Sequence, residues 1–312
     1  MKTVTKFQPL LLAIALLLGP IQAFAQLQTI VDVNRSFTGI KKIEVSGGSL
    51  EVEYIGSPSA GEVSVNAFLE SNNPNQDIIF VTVGDVLKIT HKVTTSNWNN
   101  NRTKGHIKMK GPENVSLDLK GGSGSVSAEN VKSSETNLSV GSGSVMGTNI
   151  QGNVNVNAGS GSIKLSGIEG NVKGNVGSGS ASFTNLKGNL AYSCGSGGVN
   201  ASQIAGLVNI SLTSGNAKLE DIGELGELKV TSGNITANNA GLGANTSISG
   251  TSGNFKIQTP SNLRDFNYRL NATSGNITVG ESRGGKSLTI DNGASKDIRG
   301  SITSGNISIV NQ

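Results

Sequence analysis

Three things are scarce in this chain of 312 residues: cysteine, proline and aromatic side chains. The single cysteine, Cys194, has no partner for an intrachain disulfide. It also lies too deep in the chain to be a lipid-attachment site behind a leader, so stability has to come from packing and hydrogen bonds. Six prolines beside 43 glycines exclude a collagen-like chain and point to a fold with many tight turns. With aromatics at 4% of the residues, few rings are available to form a stacking platform for sugars or bases.

Charge is also thin, at 15% of residues, and nearly balanced. Of 25 basic and 21 acidic residues, Lys2 and Lys6 belong to the N-terminal leader, which leaves 23 against 21. No dense basic stripe of the kind that tracks nucleic acid is present, so no nucleic-acid partner is expected. Long apolar runs are missing apart from Leu10 to Leu18, which follows the two lysines and precedes Ala23-Phe24-Ala25. That order is the layout of a cleaved secretory signal, expected to occupy residues 1–25, and the run falls short of the roughly 20 residues needed to cross a bilayer. The mature chain is expected to begin near Gln26, to be exported, and to carry no transmembrane segment.

What is abundant is glycine, and it is periodic. GSGS occurs at 122, 141, 159 and 177, GSGG at 195, and TSGN at 213, 231, 251, 273 and 303. The serine-glycine pairs are spaced by 19, then five times by 18, then by 20, 22 and 30 residues. Apolar residues alternate on both sides of each turn, as in Val154, Val156 and Ala158 before one and Ile163, Leu165 and Ile168 after it. This period-two pattern predicts two short strands per repeat, each with one face inward. A unit of 18 residues cannot bury its apolar side alone, so the units are predicted to stack as coils of an all-β, single-chain β-solenoid. About ten coils spaced by about 4.8 Å would make a rod of about 45 to 50 Å. Asn216, Asn234, Asn254, Asn276 and Asn306 recur at the same turn position and are expected to form a hydrogen-bonding ladder. The domain division expected is the signal at 1–25, an irregular N-terminal β part at 26–114, and the regular repeat at 115–312 with a C-terminal cap from Pro260.

Several sharper readings can be weighed. GESRGGKS, residues 280–287, matches the spacing of a phosphate loop, but Leu288 and Ile290 alternate with polar residues where a helix would be needed, so no nucleotide is expected. A calcium-binding nine-residue repeat would need aspartate where Val126, Val145, Ile163 and Ala181 stand. Glu220, Asp221, Glu224 and Glu227 form the only local acidic group, read as a solvated corner. A polysaccharide-cleaving solenoid needs paired carboxylates, yet Glu220 faces Ser202 and Asn238 in adjacent coils, and Glu169 is alone. His91 and His106 flank an Asn-rich loop without an evident third ligand. Cys194 occupies an inward slot like Val176 and Leu212 and reads as a small core residue. Phe183 and Tyr192 are also inward, which leaves Trp98, with its neighbours Asn99 and Arg102, as the expected ligand contact. No catalytic, cofactor or metal residue is predicted.

The segments KKIEVSGGSLEVEY and HIKMKGPENVSLDLKGGSGSVSAENV, with the successive GSGS turns, resemble the putative adhesin domains of exported bacterial proteins, the head-GIN-like group common in Bacteroidetes. The change to TSGN in later coils departs from that pattern. The resemblance implies an exported β-solenoid that meets glycan or protein ligands at the cell surface or in the envelope, with no catalytic residues to carry over. A periplasmic accessory solenoid is the alternative, and an extracellular polysaccharide enzyme a third reading.

Overall fold

The computed structural model describes residues 27–94 and 102–312. The expected signal at 1–25, together with Trp98 and Asn99, therefore lies outside the described residues. The fold is a β-solenoid. Val172–Leu186 runs parallel to the strand before it in strict register, Val154 on Val172, Ile163 on Ala181, Ile168 on Leu186. The following strand repeats the pattern, Val172 on Leu190 and Leu186 on Ile204.

Within each coil the inward alternation is interrupted at three places. One is the serine-glycine turn, flanked by buried Ala158 and Ile163. The second is a residue in the left-handed region, occupied in successive coils by Asn149, Gly167, Asn185, Gln203, Asp221 and Asn239. Asparagine and aspartate tolerate that conformation better than most L-residues, which explains their concentration there. The third is a Gly-Asn pair, as at Gly170-Asn171 and Gly188-Asn189.

Between these corners the apolar columns merge into one continuous core along the rod. Side chains of unequal size are accommodated across layers rather than within one. Gly174 stands in a slot filled by Val156 below and Tyr192 above. A Cβ there would lie 3.0 Å from Tyr192 Cδ2, and the space it leaves lets Tyr192 meet Phe183 edge to face at 5.3 Å. Each fully buried aliphatic side chain of this kind contributes about 1.5 to 3 kcal/mol of gross stabilisation.

The two ends depart from simple sequential stacking. The first coil, Lys42–Ser46 and Glu51–Ser57, is not the outermost layer. Lys42–Ser46 pairs in parallel with Ser116–Gly121 on one side and Val86–Val93 on the other. Glu51–Ser57 is likewise held between Val126–Val140 and Thr103–Pro112. Beyond that layer the pairing turns antiparallel, with Gln76–Val83 on Val86–Val93, Glu62–Ser71 on Thr103–Pro112, and Gln28–Thr38 outermost. At the other end the last coil, Asp297–Ser304 and Ile307–Asn311, sits directly on Ser247–Thr259. Asn267–Ser274 and Ile277–Val279 lie outside it, covered by the antiparallel strands Ser287–Ile290 and Ser282–Gly284. The described residues thus form twelve parallel layers, about 55 Å at the usual spacing, closed by antiparallel strands.

The N-terminal cap contains a polar cluster. Gln76 is buried and donates through Nε2 to Ser71 Oγ at 2.9 Å and Thr103 Oγ1 at 3.0 Å. Its Oε1 lies 2.9 Å from His91 Nε2. Burial pushes the His91 imidazole below its ordinary value of 6.5, opposed by a hydrogen bond with the Gly47 backbone.

Three measurements of the unfolding midpoint test this description. Gly215, at φ +143°, would place a Cβ 1.6 Å from the Gly197 carbonyl oxygen. Gly215→Ala is expected to cost at least about 3 kcal/mol or prevent folding, whereas Gly285→Ala, in open space, stays within about 0.5 kcal/mol. Thr136 is fully buried between Leu117 and Val154 with no partner for its Oγ1, so Thr136→Val is expected to raise stability by about 1 kcal/mol. For His91 the unfolded chain takes up a proton near the ordinary imidazole pKa and the native state resists it. Stability is therefore full above that value and falls as the pH drops through 6.5 toward the lower folded pKa. His106 is lowered in the same direction, chiefly by burial. His91→Gln is expected to flatten the decline between about pH 8 and pH 5, and an unchanged slope would reject the assignment.

Candidate functional site

Asparagine side chains at successive corners decide what the rod presents to solvent. In the turn column each amide oxygen accepts the backbone N–H of the next layer. Asn234 N donates to Asn216 Oδ1 at 3.0 Å, Asn254 N to Asn234 Oδ1 at 3.3 Å, Asn306 N to Asn254 Oδ1 at 3.1 Å and Asn276 N to Asn306 Oδ1 at 3.0 Å. The order along the rod is 216, 234, 254, 306, 276, because the last coil is threaded inside its predecessor. Side-chain amides add a second bond at three steps, with Nδ2 of Asn234, Asn254 and Asn306 donating to the same oxygens at 3.1, 2.8 and 2.9 Å. This column ties layers together.

A second amide set, at the Gly-Asn corner and the strand after it, behaves differently. Oδ1 of Asn153, Asn171 and Asn189 accepts the N–H of Asn171, Asn189 and Leu207, at 3.0, 3.0 and 2.8 Å. Asn209 Oδ1 accepts from Glu227 N at 2.7 Å. Beside them, Asn175 Nδ2 donates to Asn157 Oδ1 at 3.0 Å and Ser193 Oγ to Asn175 Oδ1 at 2.6 Å. In the outward register Asn155, Lys173 and Ala191 follow one another, and the short Ala191 side chain leaves a gap. Two adjoining shallow grooves meet at Lys173, Ala191 and Asn209. This amide-lined face is the candidate contact surface. The sequence reading singled out the turn column and passed over this one, although Gly-Asn recurs at 152, 170 and 188.

The other residues marked in the sequence lie apart from it. Arg102 is exposed beside the N-terminal cap, its N–H donating to Asn72 Oδ1 at 2.9 Å and its carbonyl accepting from Ser71 Oγ at 3.0 Å. His106 Nε2 lies 2.5 Å from Asn66 Oδ1, so the two histidines are held by separate amides. The acidic group is engaged piecewise, Glu220 with Lys218 at 3.4 Å, Asp221 with Asn239 at 2.7 Å and Glu224 with Asn245 at 3.3 Å. Among the described residues no three His, Cys, Asp or Glu side chains are placed to share a metal ion. Residues 280–287 pass from a turn through the antiparallel strand Ser282–Gly284 and a bend at Gly285-Lys286 into the antiparallel strand Ser287–Ile290. Cys194 is buried in the core. No helix among the described residues is long and apolar enough to cross a membrane.

Comparison with known proteins places these features in context. No curated protein matches the chain. It is similar to a crystal structure described as a putative lipid binding protein from Parabacteroides distasonis, at 16% identity over 89% of this chain and 96% of the other, with a TM-score of 0.41. It is also similar to one described as a putative adhesin from Bacteroides fragilis, at 15% identity over 90% and 97%, with a TM-score of 0.34. A third, described as a putative cell adhesion protein from Clostridium sporogenes, shares 12% identity over 90% and 100%, with a TM-score of 0.28. The profile of one family matches residues 40–220 and again 170–310, nearly the whole of the described solenoid, and the chain belongs to that family, Toastrack DUF4097.

Proposed function

We propose that this protein is an exported, non-catalytic, adhesin-like protein that meets glycans or other envelope components through the side of its rod. The observation that carries this reading is the amide face, where polar side chains repeat at the layer spacing and are held in orientation by backbone N–H groups. Pre-orientation of this kind lowers the ordering cost of binding an extended partner. Export rests on the leader layout of residues 1–25. The solenoid supplies length and rigidity, which suit contact at a distance from the cell, and exposed Arg102, close in sequence to Trp98 and Asn99, offers a second contact region.

The test is protease shaving of intact cells, followed by detection of the mature chain in surface, periplasmic and medium fractions, with lysed cells as the accessibility control. Digestion on intact cells, or release into the medium, is the expected result. Protection until the outer membrane is broken would reject adhesion and turn the search to a periplasmic partner captured by crosslinking.

A further inference from the structure

The amide face has a polarity that its composition does not reveal. A backbone N–H can only donate, so each bond it makes to an asparagine identifies the oxygen and settles which way the amide is turned. At Asn153, Asn171, Asn189 and Asn209 the oxygen is drawn toward the neighbouring layer. The Nδ2 groups of these four are left on the other side, and among the described residues they have no protein acceptor. What looks in the sequence like a neutral amide stripe is therefore a surface of donors.

A cation stands among them. Lys173 is exposed and, among the described residues, makes no ion pair, whereas neighbouring Lys187 is bound to Glu169 and Lys132 to Glu113. It projects next to the gap over Ala191, which is itself exposed. The donor surface has limits along the rod. Glu135 closes one end, where it accepts from Asn155 Nδ2 at 2.6 Å, and Glu227 closes the other.

We propose that this face binds an acidic glycan, with the carboxylate of a uronic acid residue seated over Ala191 against the Lys173 ammonium and the Asn171 and Asn189 amide donors. The ligand chemistry follows from what is offered: one positive charge and several neutral donors in the middle of a shallow, elongated groove whose two carboxylates, Glu135 and Glu227, stand at its ends, with the hydroxyls of Ser193 and Ser211 alongside. A carboxylate takes charge-assisted bonds from such donors, and the sugar hydroxyls use the rest. A compact phosphate group is better served by clustered cations and a deeper cradle. The proposal rests on the glycan-contact reading above and adds the ligand class and the place of the charge.

The experiment measures affinity of the full mature chain for polygalacturonate and for neutral dextran, with Lys173→Gln, Ala191→Phe and Lys164→Gln variants. Ala191 and Lys173 are exposed, so neither change disturbs the core, and Lys164→Gln removes a cation beyond the serine-glycine turn. Polygalacturonate is expected to bind at least about tenfold more tightly than dextran, with about tenfold or greater loss in Lys173→Gln and in Ala191→Phe and no change in Lys164→Gln. Equal binding of both polysaccharides, unaffected by Lys173→Gln, would overturn this inference and leave the glycan-contact reading standing. Competition by inorganic phosphate at the same concentration as the galacturonate units would mark a general anion site and also overturn it. Failure of the wild-type chain to bind polygalacturonate at all defeats the inference, and the shaving experiment then decides the broader reading by itself.

Discussion

Successive turns of this solenoid approach one another so closely that only a bare backbone fits between them. Built onto the second glycine of the turn, a Cβ would fall 1.7 Å from the carbonyl oxygen of the preceding layer at Gly197 and at Gly233. The approach is the consequence of exact coil length. With 18 residues per coil, equivalent carbonyls and N–H groups stand directly over one another, and the layer spacing of hydrogen-bonded strands is then imposed at the corner as well. Everything else follows from keeping that register: a shared slot for each apolar residue, a single core along the rod, and like side chains brought together column by column.

Register also creates the difficulty that the ends must solve. A parallel stack ends in a strand with an unpaired edge, which invites pairing with another chain. At each end the chain meets this by the same device. The coil nearest the terminus in sequence is held one layer inside, and the outermost parallel layer is covered by antiparallel strands, Gln76–Val83 and Glu62–Ser71 at one end and Ser282–Gly284 and Ser287–Ile290 at the other. The coils at residues 42–57 and 297–311 thereby gain neighbours on both sides, while among the described residues the strand Gln28–Thr38 pairs on one side, with Glu62–Ser71.

The same stacking gives the surface its chemistry. An asparagine at a corner can bond to its counterpart or to the backbone of the next layer, and the choice determines what remains for solvent. In the turn column both groups of several amides are engaged between layers. At the Gly-Asn corner the oxygen alone is engaged, which leaves donors outward. Two stripes of one residue type thus differ in polarity because the Nδ2 groups reach the oxygen of the adjacent layer in the turn column and, among the described residues, find no such acceptor at the Gly-Asn corner.

The amino-acid sequence determined the architecture, since the 18-residue spacing of serine-glycine pairs and the alternation around Val154 to Ile168 permit little besides stacked coils. It also determined the inward places of Phe183, Tyr192 and Cys194, because a period of two leaves no choice of face. Sequence order, however, is not layer order: the spacing of 30 between the last two turns records an inserted hairpin without saying on which side of it the final coil lies. Only the tertiary structure decided that Asn306 precedes Asn276 along the rod. It alone decided which atom of Asn171 and Asn189 faces outward and that Lys173 stands beside a gap, because the turning of an amide depends on a backbone N–H eighteen residues away, brought near by folding.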